Sequence, residues 1–158
     1  MNVEYFHASR YGNGAKVAEE FKRRMAARGV EVRVHHIKDV GAKTLPPADL
    51  YLFSSPGRLG KPIGSMRRFL KGLDAPAGAR YAILTTEGAP QPDKKTGRIP
   101  SQEEQDKYQR VIPIMSELLQ GAGMVEVAAA KVLVTGMKGP LEDGWETKVD
   151  DFADGITV

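Results

Sequence analysis

Residues 3–18 of the chain, VEYFHASRYGNGAKVA, carry the pattern that decides the fold. Strand-forming residues fill the first part, Val3–Ala8, and a loop with two glycines follows it. A strand that passes through glycines into a helix leaves backbone N–H groups unpaired at the helix N-terminus, where they and the helix dipole can hold a phosphate. The sequence therefore predicts an anion site here, because apolar residues recur beyond the loop at helical spacing, at Val17, Ala18, Phe21 and Met25.

Strands and helices alternate along the rest of the chain. Residues 30–34 alternate valines with polar residues, which indicates a strand with one wet face at a sheet edge. Residues 50–53 and 81–84 are continuously apolar, as in strands that are covered on both faces, and a last strand is expected within 125–134. This alternation predicts an α/β fold, a doubly wound parallel sheet with helices on both faces.

Three further helices are predicted from their apolar stripes. The helix after residue 60 turns one set of side chains inward: Ile63, Met66, Phe69, Leu70 and Leu73. The next begins at Ser101, which forms a capping box with Glu104, and Pro113 is expected to kink or break it. Its stripe consists of Tyr108, Val111, Ile112, Met115, Leu118 and Leu119. The last helix places four residues on one face: Trp145, Val149, Phe152 and Ile156.

Three loops are expected to carry the function. In a doubly wound sheet, ligands bind beyond the carboxyl ends of the strands, where the strand order reverses. The loops that follow Ala8, Phe53 and Leu84 lie at that edge. A polar segment, Gly88–Pro100, is predicted to be an exposed loop, and it is either a passive insertion or a flap over a ligand.

The composition is that of an ordinary globular domain. The 158 residues are 41% hydrophobic and 27% charged, which fits one domain spanning 1–158. No stretch is apolar enough to cross a membrane and the N-terminus has no secretory pattern, so a cytoplasmic protein without membrane insertion is expected. The net charge of +3 is too small, and the aromatic residues too few, to indicate nucleic-acid binding. Because there is no cysteine, redox chemistry would require a cofactor.

The glycine loop was compared with two phosphate-binding patterns. It lacks the Gly-Lys-Ser/Thr ending of a P-loop. It matches a dinucleotide fingerprint only in part, since Val17 stands where the third glycine belongs. A turn that merely connects strand and helix stays open at this point. The full string Ser9-Arg10-Tyr11-Gly12-Asn13-Gly14 resembles the FMN phosphate loop of flavodoxin-like proteins.

Within that resemblance, three residues match the pattern and two depart from it. Ser9, Gly12 and Asn13 match, whereas Tyr11 and Gly14 replace hydroxyl residues. The resemblance implies that backbone donors and Arg10 take over the missing bonds to phosphate. It also implies a five-stranded parallel sheet in the order 2-1-3-4-5 and FMN as the cofactor.

A second segment, Ser55–Leu70, resembles the flavodoxin-like NAD(P)H:quinone reductases of the tryptophan-repressor-binding type. The residues in register are Pro56, Arg58, Gly60, Gly64, Met66, Arg67, Phe69 and Leu70. The Ser-x-Tyr-Gly pattern of those reductases also accounts for Tyr11. The resemblance implies that the backbone from Pro56 to Gly60 lies along the flavin ring, so the cofactor-binding residues of this loop would be Ser55, Pro56, Gly57, Arg58, Leu59 and Gly60.

A third segment resembles the Thr/Ser-x-x-Gly turn on the other side of the flavin in this superfamily. Its cofactor-binding residues would be Thr85, Thr86, Glu87 and Gly88. The chain departs from the reductases after this turn, because Ala89-Pro90-Gln91-Pro92 replaces a glycine-rich run.

Three functions from different classes follow from these resemblances. The first is an FMN-binding electron-transfer protein that docks with a redox partner protein and has no catalytic residues of its own. The second is an enzyme, an NAD(P)H-dependent FMN quinone reductase, and the resemblance leaves a homo-oligomer open. The third is a binding scaffold of the same fold without FMN.

Positive charge on the ring-side loops is expected to influence the flavin. The cations on or beside these loops are Arg10, Arg58, Lys61, Arg67 and Arg68. They should favour the anionic reduced flavin and make the reduction potential less negative than in an acidic flavodoxin. The same charges could receive NAD(P)H phosphates, an acidic protein partner or an anionic quinone. The three histidines, His7, His35 and His36, are interpreted as structural rather than metal-binding.

Overall fold

The computed structural model describes residues 1–157 and contains one five-stranded parallel sheet with helices on both faces. Its strands are β1 (Asn2–His7), β2 (Glu31–His36), β3 (Leu50–Ser54), β4 (Arg80–Gly88) and β5 (Val125–Val134). Its helices are α1 (Asn13–Ala26), α2 (Gly64–Lys71), α3 (Gln102–Tyr108), α4 (Val111–Gly121) and α5 (Trp145–Ile156), with a short 3-10 helix at Ile37–Asp39. An antiparallel hairpin pairs Gly57–Arg58 with Lys61–Pro62.

The sheet order is β2-β1-β3-β4-β5, which confirms the order predicted. β1 pairs in parallel with β2 on one side and with β3 on the other. The chain therefore leaves β1 in one direction along the sheet and later returns to build in the other direction. That reversal lies beside the carboxyl end of β1, where ligands bind in folds of this kind.

Two hydrophobic cores lie on opposite faces of the sheet, because neighbouring strand residues point to opposite sides. Tyr5 packs edge-on against Phe21 of α1, with the two ring centroids 5.4 Å apart. Phe6, the next residue, faces the other way and lies 5.9 Å from the ring of Phe69 on α2. The predicted core face of α5 is confirmed, since Val149, Phe152 and Ile156 are buried and Trp145 packs half-buried against the same core.

The predicted third helix is broken, but not at its proline. Residues Gln109 and Arg110 separate α3 from α4, and Pro113 lies in the first turn of α4, where its missing N–H costs nothing. The break changes the phase of the stripe, so Tyr108 is 57% exposed and its predicted inward position is wrong. The capping box at Ser101 is confirmed, because its Oγ accepts a hydrogen bond from the Glu104 N–H at 3.2 Å.

β4 is longer than the sequence suggested. Its pairing with β5 continues from Arg80 to Gly88, so Thr85, Thr86 and Glu87 belong to the strand and not to a loop. The prediction of a loop directly after Leu84 is therefore wrong. α2 is in turn shorter than its predicted stripe, which leaves Leu73 beyond its end.

Residues 89–100 contain neither helix nor strand and are largely exposed, as expected for this segment. Whether the segment acts as a flap over a ligand stays a prediction. Over residues 1–157, none of the helices combines the length and the apolar character that crossing a membrane would need.

Candidate functional site

An open cleft of about 530 Å³ lies at the carboxyl edge of the sheet, beside the reversal of strand order. This volume is in the range of cofactor and substrate sites. The loops after β1, β3 and β5 and the end of β4 form its walls. Its lining residues are Ser9, Arg10, Tyr11, Asn13, Gly14, Pro56, Gly57, Arg58, Ile63, Thr86, Gly88, Val134, Gly136 and Met137.

The loop after β1 delivers an uncapped helix N-terminus to this cleft. Gly12 is the N-cap of α1 and has a φ of 92°, a left-handed conformation that favours glycine. No side chain caps α1, and its first turn contains no acidic residue. Asn13 and Gly14, the first two helical residues, line the cleft. Their backbone N–H groups precede the first intrahelical donor, since the first bond of the helix runs from the Lys16 N–H to the Gly12 carbonyl.

Close packing inside this loop explains the glycine at position 14. A Cβ atom on Gly14 would lie 3.1 Å from the Cβ of Ser9, which is tighter than an ordinary contact. Ser9 in turn closes the loop, because its Oγ accepts a hydrogen bond from the Gly12 N–H at 3.2 Å. Gly12 therefore shapes the turn without lining the cleft itself.

Two histidines hold the backbone of Ser9 from behind. The Ser9 N–H donates to Nδ1 of His7 at 3.2 Å, and Nε2 of His36 lies 3.1 Å from the Ser9 carbonyl oxygen. The Lys38 N–H donates to Nδ1 of His36, so the proton of that ring is on Nε2 and points at Ser9. Burial, and to a smaller extent the neighbouring His36, lowers the pKa of His7 to about 4, while Asp39 acts in the opposite direction. The neutral His7 ring is thus the form that accepts the Ser9 N–H.

The loop after β3 is fastened to β4 and α2. Ser55 is buried: its Oγ donates to the Pro56 carbonyl at 2.9 Å and accepts the Ile63 N–H at 3.3 Å. Its carbonyl accepts the Thr86 N–H at 3.1 Å. Ser55 thus supports the loop, and Pro56, Gly57 and Arg58 form the cleft wall there, so the predicted contact of Ser55 with a cofactor stays a prediction.

The hairpin that follows turns tightly at Leu59 and Gly60. A Cβ atom on Gly60 would lie 2.0 Å from the Tyr108 carbonyl oxygen, and the φ of Gly60 is 74°. The Gly60 carbonyl accepts the Arg110 N–H at 2.6 Å, which ties the hairpin to the break between α3 and α4. Leu59 and Gly60, both predicted at the site, do not line the cleft.

The end of β4 contributes alternate residues to the cleft. Thr86 and Gly88 line it, whereas Thr85 and Glu87 point to the other face of the sheet. There the Thr85 Oγ1 donates to the Glu87 Oε2 at 2.5 Å, and both side chains are buried. A Cβ atom on Gly57 would come within 3.4 Å of the Glu87 Cγ, so Glu87 lies behind the β3 loop. The strand alternation thus brings two of the four predicted residues to the cleft, and their contact with a cofactor stays a prediction.

A fourth loop was missed by the sequence reasoning. The end of β5 adds Val134 to the cleft, and the loop after it adds Gly136 and Met137. Ile63, which was expected only in the core, also lines the cleft. Asn13 joins this loop to α1, because its Nδ2 donates to the Lys138 carbonyl at 3.2 Å. The sequence contained a signal for this loop, because the last strand of a parallel sheet ends at the same edge as the others and the loop after it therefore lies at the site.

The surroundings of the cleft are positively charged. No Asp or Glu occurs in residues 8–18, 50–73 or 127–141, which include three of the four contributing segments. Arg10, Arg58, Lys61 and Lys138 are exposed. None of these four forms an ion pair with a carboxylate among residues 1–157. In the described part of the chain, no group of three His, Asp or Glu side chains is placed to hold a metal.

Comparisons with known proteins identify the fold. No protein-family model matches the chain, and no curated protein matches it in sequence. The solved structure of oxidised flavodoxin 1 from Bacillus cereus is 20% identical, with a TM-score of 0.71 over 98% of this chain and 96% of that one. Flavodoxin 2 from the same organism is 18% identical, with a TM-score of 0.72 over 98% and 97%.

A longer protein contains a similar region. Rubredoxin oxygen:oxidoreductase from the anaerobe Desulfovibrio gigas is 16% identical, with a TM-score of 0.69 over 98% of this chain and 35% of that one. At these identities the likeness shows the fold, and the fold of this chain is that of the flavodoxins.

Proposed function

We propose that this chain is an FMN-binding electron-transfer protein that acts as a single domain over residues 1–158. The observation that carries the proposal is the uncapped N-terminus of α1, which opens into a cleft of about 530 Å³ at the reversal of the sheet. Unpaired backbone donors at a helix N-terminus are a site for a phosphate group. The flavodoxins whose fold it shares make FMN the ligand that best fits this arrangement.

The phosphate of FMN would lie against the loop after β1. The donors available there are the Asn13 and Gly14 N–H groups. Arg10, which lines the cleft wall, would add a positive charge. The remaining members of this site are Ser9 and Gly12, which close and shape the turn, and Tyr11, which lines the cleft. No acidic side chain in this loop would repel the phosphate.

The ring of FMN would lie between the other segments. Pro56, Gly57 and Arg58 form one wall, and Thr86, Gly88 and Met137 are among the residues that form the rest. Ser55, Gly60, Thr85 and Glu87 would act from behind this wall, by holding the hairpin and the strand end in place, and Leu59 forms the exposed turn of the hairpin. Bound FMN supplies the redox chemistry, and the protein supplies binding, orientation and charge.

An electron carrier is favoured over an enzyme because the lining contains no carboxylate, histidine or lysine, and its titratable side chains are Arg10, Arg58 and Tyr11. His7 and His36 lie behind the loop and bind backbone atoms. A second candidate, an NAD(P)H-dependent FMN quinone reductase, is supported by the resemblance of residues 55–70 to such enzymes and by the unpaired cations. We propose that either activity belongs to the cytoplasm, in keeping with the cysteine-free composition.

Titration of the flavin-free protein with FMN and with riboflavin tests the proposal. Because riboflavin lacks the phosphate, we expect its Kd to exceed that of FMN by ~100-fold, the scale of one charge-assisted anion site with two or three donors. Absorbance and quenching of flavin fluorescence give both constants. Equal affinity for the two flavins would contradict a phosphate site at α1. If neither flavin binds, the proposal is wrong and the chain is a binding scaffold without FMN. Steady oxidation of NADPH with a quinone present, over many turnovers, would support the reductase instead of the carrier.

A further inference from the structure

Large apolar side chains lie exposed at the mouth of the cleft, where Tyr11 and Met137 line its rim and Leu59 lies outside its wall. Tyr11 is 57% exposed, Leu59 is 78% exposed and Met137 is 86% exposed. They come from three different loops, after β1, after β3 and after β5. Tyr108, which is also exposed, lies next to Gly60 and so extends the set beside Leu59. Exposed apolar side chains do not contribute to the hydrophobic core, and a cluster of them on the surface often marks an interaction site.

The backbone at Leu59 adds to this argument. Leu59 has a φ of 52°, and it is the one residue other than glycine with a positive φ among residues 1–157. Glycine or asparagine would occupy this position at lower cost. The leucine side chain contributes nothing to either core, since it is exposed. An unfavourable backbone conformation that presents an apolar side chain to solvent indicates a role in contact with another molecule.

A ring of cations accompanies these apolar residues. Arg10, Arg58, Lys61 and Lys138 lie on the same three loops, and Lys138 Nζ stands 5.5 Å from the centroid of the Tyr11 ring. Some cations elsewhere on the surface are held by carboxylates, for example Arg28 by Asp150 at 3.1 Å and Arg98 by Glu104 at 2.8 Å, whereas none of these four has a carboxylate partner among residues 1–157. The charges at the mouth thus remain available for a partner.

We propose that the mouth patch, defined as Tyr11, Leu59 and Met137 with the cations Arg10, Arg58, Lys61 and Lys138, is the docking surface for an acidic redox protein. An apolar centre with a charged rim is the usual anatomy of a protein interface, and complementary charge steers the encounter. A ligand held inside the cleft would leave Leu59 uncovered, because Leu59 is not part of the cleft wall. Electron transfer across this surface rests on the proposed function, because it requires bound FMN. Binding of the partner does not require flavin and can be measured without it.

Cytochrome c and its succinylated form provide matched probes. Succinylation turns the lysines of this basic protein into carboxylates and leaves the same haem. The FMN-loaded protein is reduced anaerobically with dithionite, and excess reductant is removed. Each reduced flavin then gives two electrons, one to each of two ferric haems, which become ferrous, while the flavin returns to its oxidised form and releases its protons to water.

We expect the succinylated form to be reduced at least ~10-fold faster than native cytochrome c at low ionic strength, where steering is strongest. Its rate should fall as salt is added, whereas the rate with native cytochrome c should rise or stay level. A faster reaction with the native, basic form would overturn the proposal. So would rates that do not respond to salt with either probe.

Charge-reversal variants locate the surface. Lys61→Glu with Lys138→Glu should lower the rate with succinylated cytochrome c by ~10-fold or more at low salt. Lys22→Glu with Lys43→Glu makes the same charge change at exposed positions on α1 and in the 41–49 segment and should alter that rate less than ~2-fold. Leu59→Gly, with rates normalised to bound flavin, should also lower the rate, because it removes an apolar contact without adding backbone strain. Equal effects of the two double variants would overturn the proposal.

Calorimetric titration of the flavin-free protein with the two cytochromes separates docking from electron transfer. Tighter binding of the succinylated form, weakened by Lys61→Glu with Lys138→Glu, supports the proposal even if FMN does not bind. If that variant raises the Kd of NADPH and leaves the binding of both cytochromes unchanged, a nucleotide and not a protein occupies the patch, and the proposal is wrong.

Discussion

The N–H of Ser9 donates to Nδ1 of His7 at 3.2 Å, so the loop that opens the candidate phosphate site is anchored on a buried imidazole. This hydrogen bond needs a neutral ring, and burial lowers the pKa of His7 to about 4. An unfolded chain returns the histidine to its ordinary value near 6.5. Protonation is therefore linked to loss of structure at the site.

Stability should fall in mild acid because of His7. Since the pKa is lower in the folded state, the unfolded chain binds more protons between pH 6.5 and about 4. The contribution is fully present above pH 6.5 and is lost as the pH falls through that window. His7→Asn supplies an uncharged acceptor near Nδ1, so it should flatten this part of the profile. Thermal midpoints of both proteins across the window measure the effect, and parallel profiles would contradict the role of His7.

Gly12→Ala should weaken FMN binding more than its effect on stability explains. Gly12 and Gly29 both have a positive φ, 92° and 73°, and both have open space around an added Cβ. Each alanine should therefore destabilise the fold by about 1 kcal/mol through backbone strain. Only Gly12 shapes the turn at the N-terminus of α1, so Gly12→Ala should raise the Kd of FMN by ~10-fold while Gly29→Ala leaves it unchanged. Urea unfolding and flavin titration measure the two quantities, and equal FMN affinities for the two variants would count against this turn as the phosphate site.

Gly60→Ala should be strongly destabilising, because the added Cβ would lie 2.0 Å from the backbone oxygen of Tyr108. The hairpin and the break between α3 and α4 would have to separate, at a cost of about 2 kcal/mol or more. Gly78→Ala is the matched control, with a φ of 80° and nothing within 4 Å of the added atom. Its cost should be about 1 kcal/mol, from backbone strain alone. Denaturant midpoints compare the two, and similar values would show that the contact with Tyr108 can relax.

The reduction potential of bound FMN should depend on Arg58, the exposed cation in the proposed ring wall. A positive charge there favours the anionic reduced flavin, but solvent screens it, so its effect is limited to roughly 0.2–1 kcal/mol. Arg58→Gln should make the two-electron potential more negative by ~5–20 mV, and Lys43→Gln should leave it unchanged. Redox titration measures both. A potential for the parent protein well below that of free FMN would refute the expected influence of the cations.

Local sequence determined much of this molecule. The alternation of buried runs with helical stripes predicts the five-stranded sheet, because strand and helix periodicities are properties of neighbouring residues. The glycine loop at Ser9–Gly14 predicts an anion site for a similar reason, since the strand, the turn and the helix N-terminus follow each other directly in the chain. The capping box at Ser101 is equally local, and it is confirmed.

Tertiary structure decided which residues meet at the cleft. β4 continues to Gly88 only because β5 supplies a pairing partner, and this pairing turns Thr86 toward the cleft and Thr85 and Glu87 away from it. The loop after β5 and His36, which lies behind Ser9, come from distant parts of the chain, so no local pattern reveals them. Sequence periodicity thus determined the elements and their edge, whereas long-range strand pairing and packing determined the direction in which each side chain at that edge points.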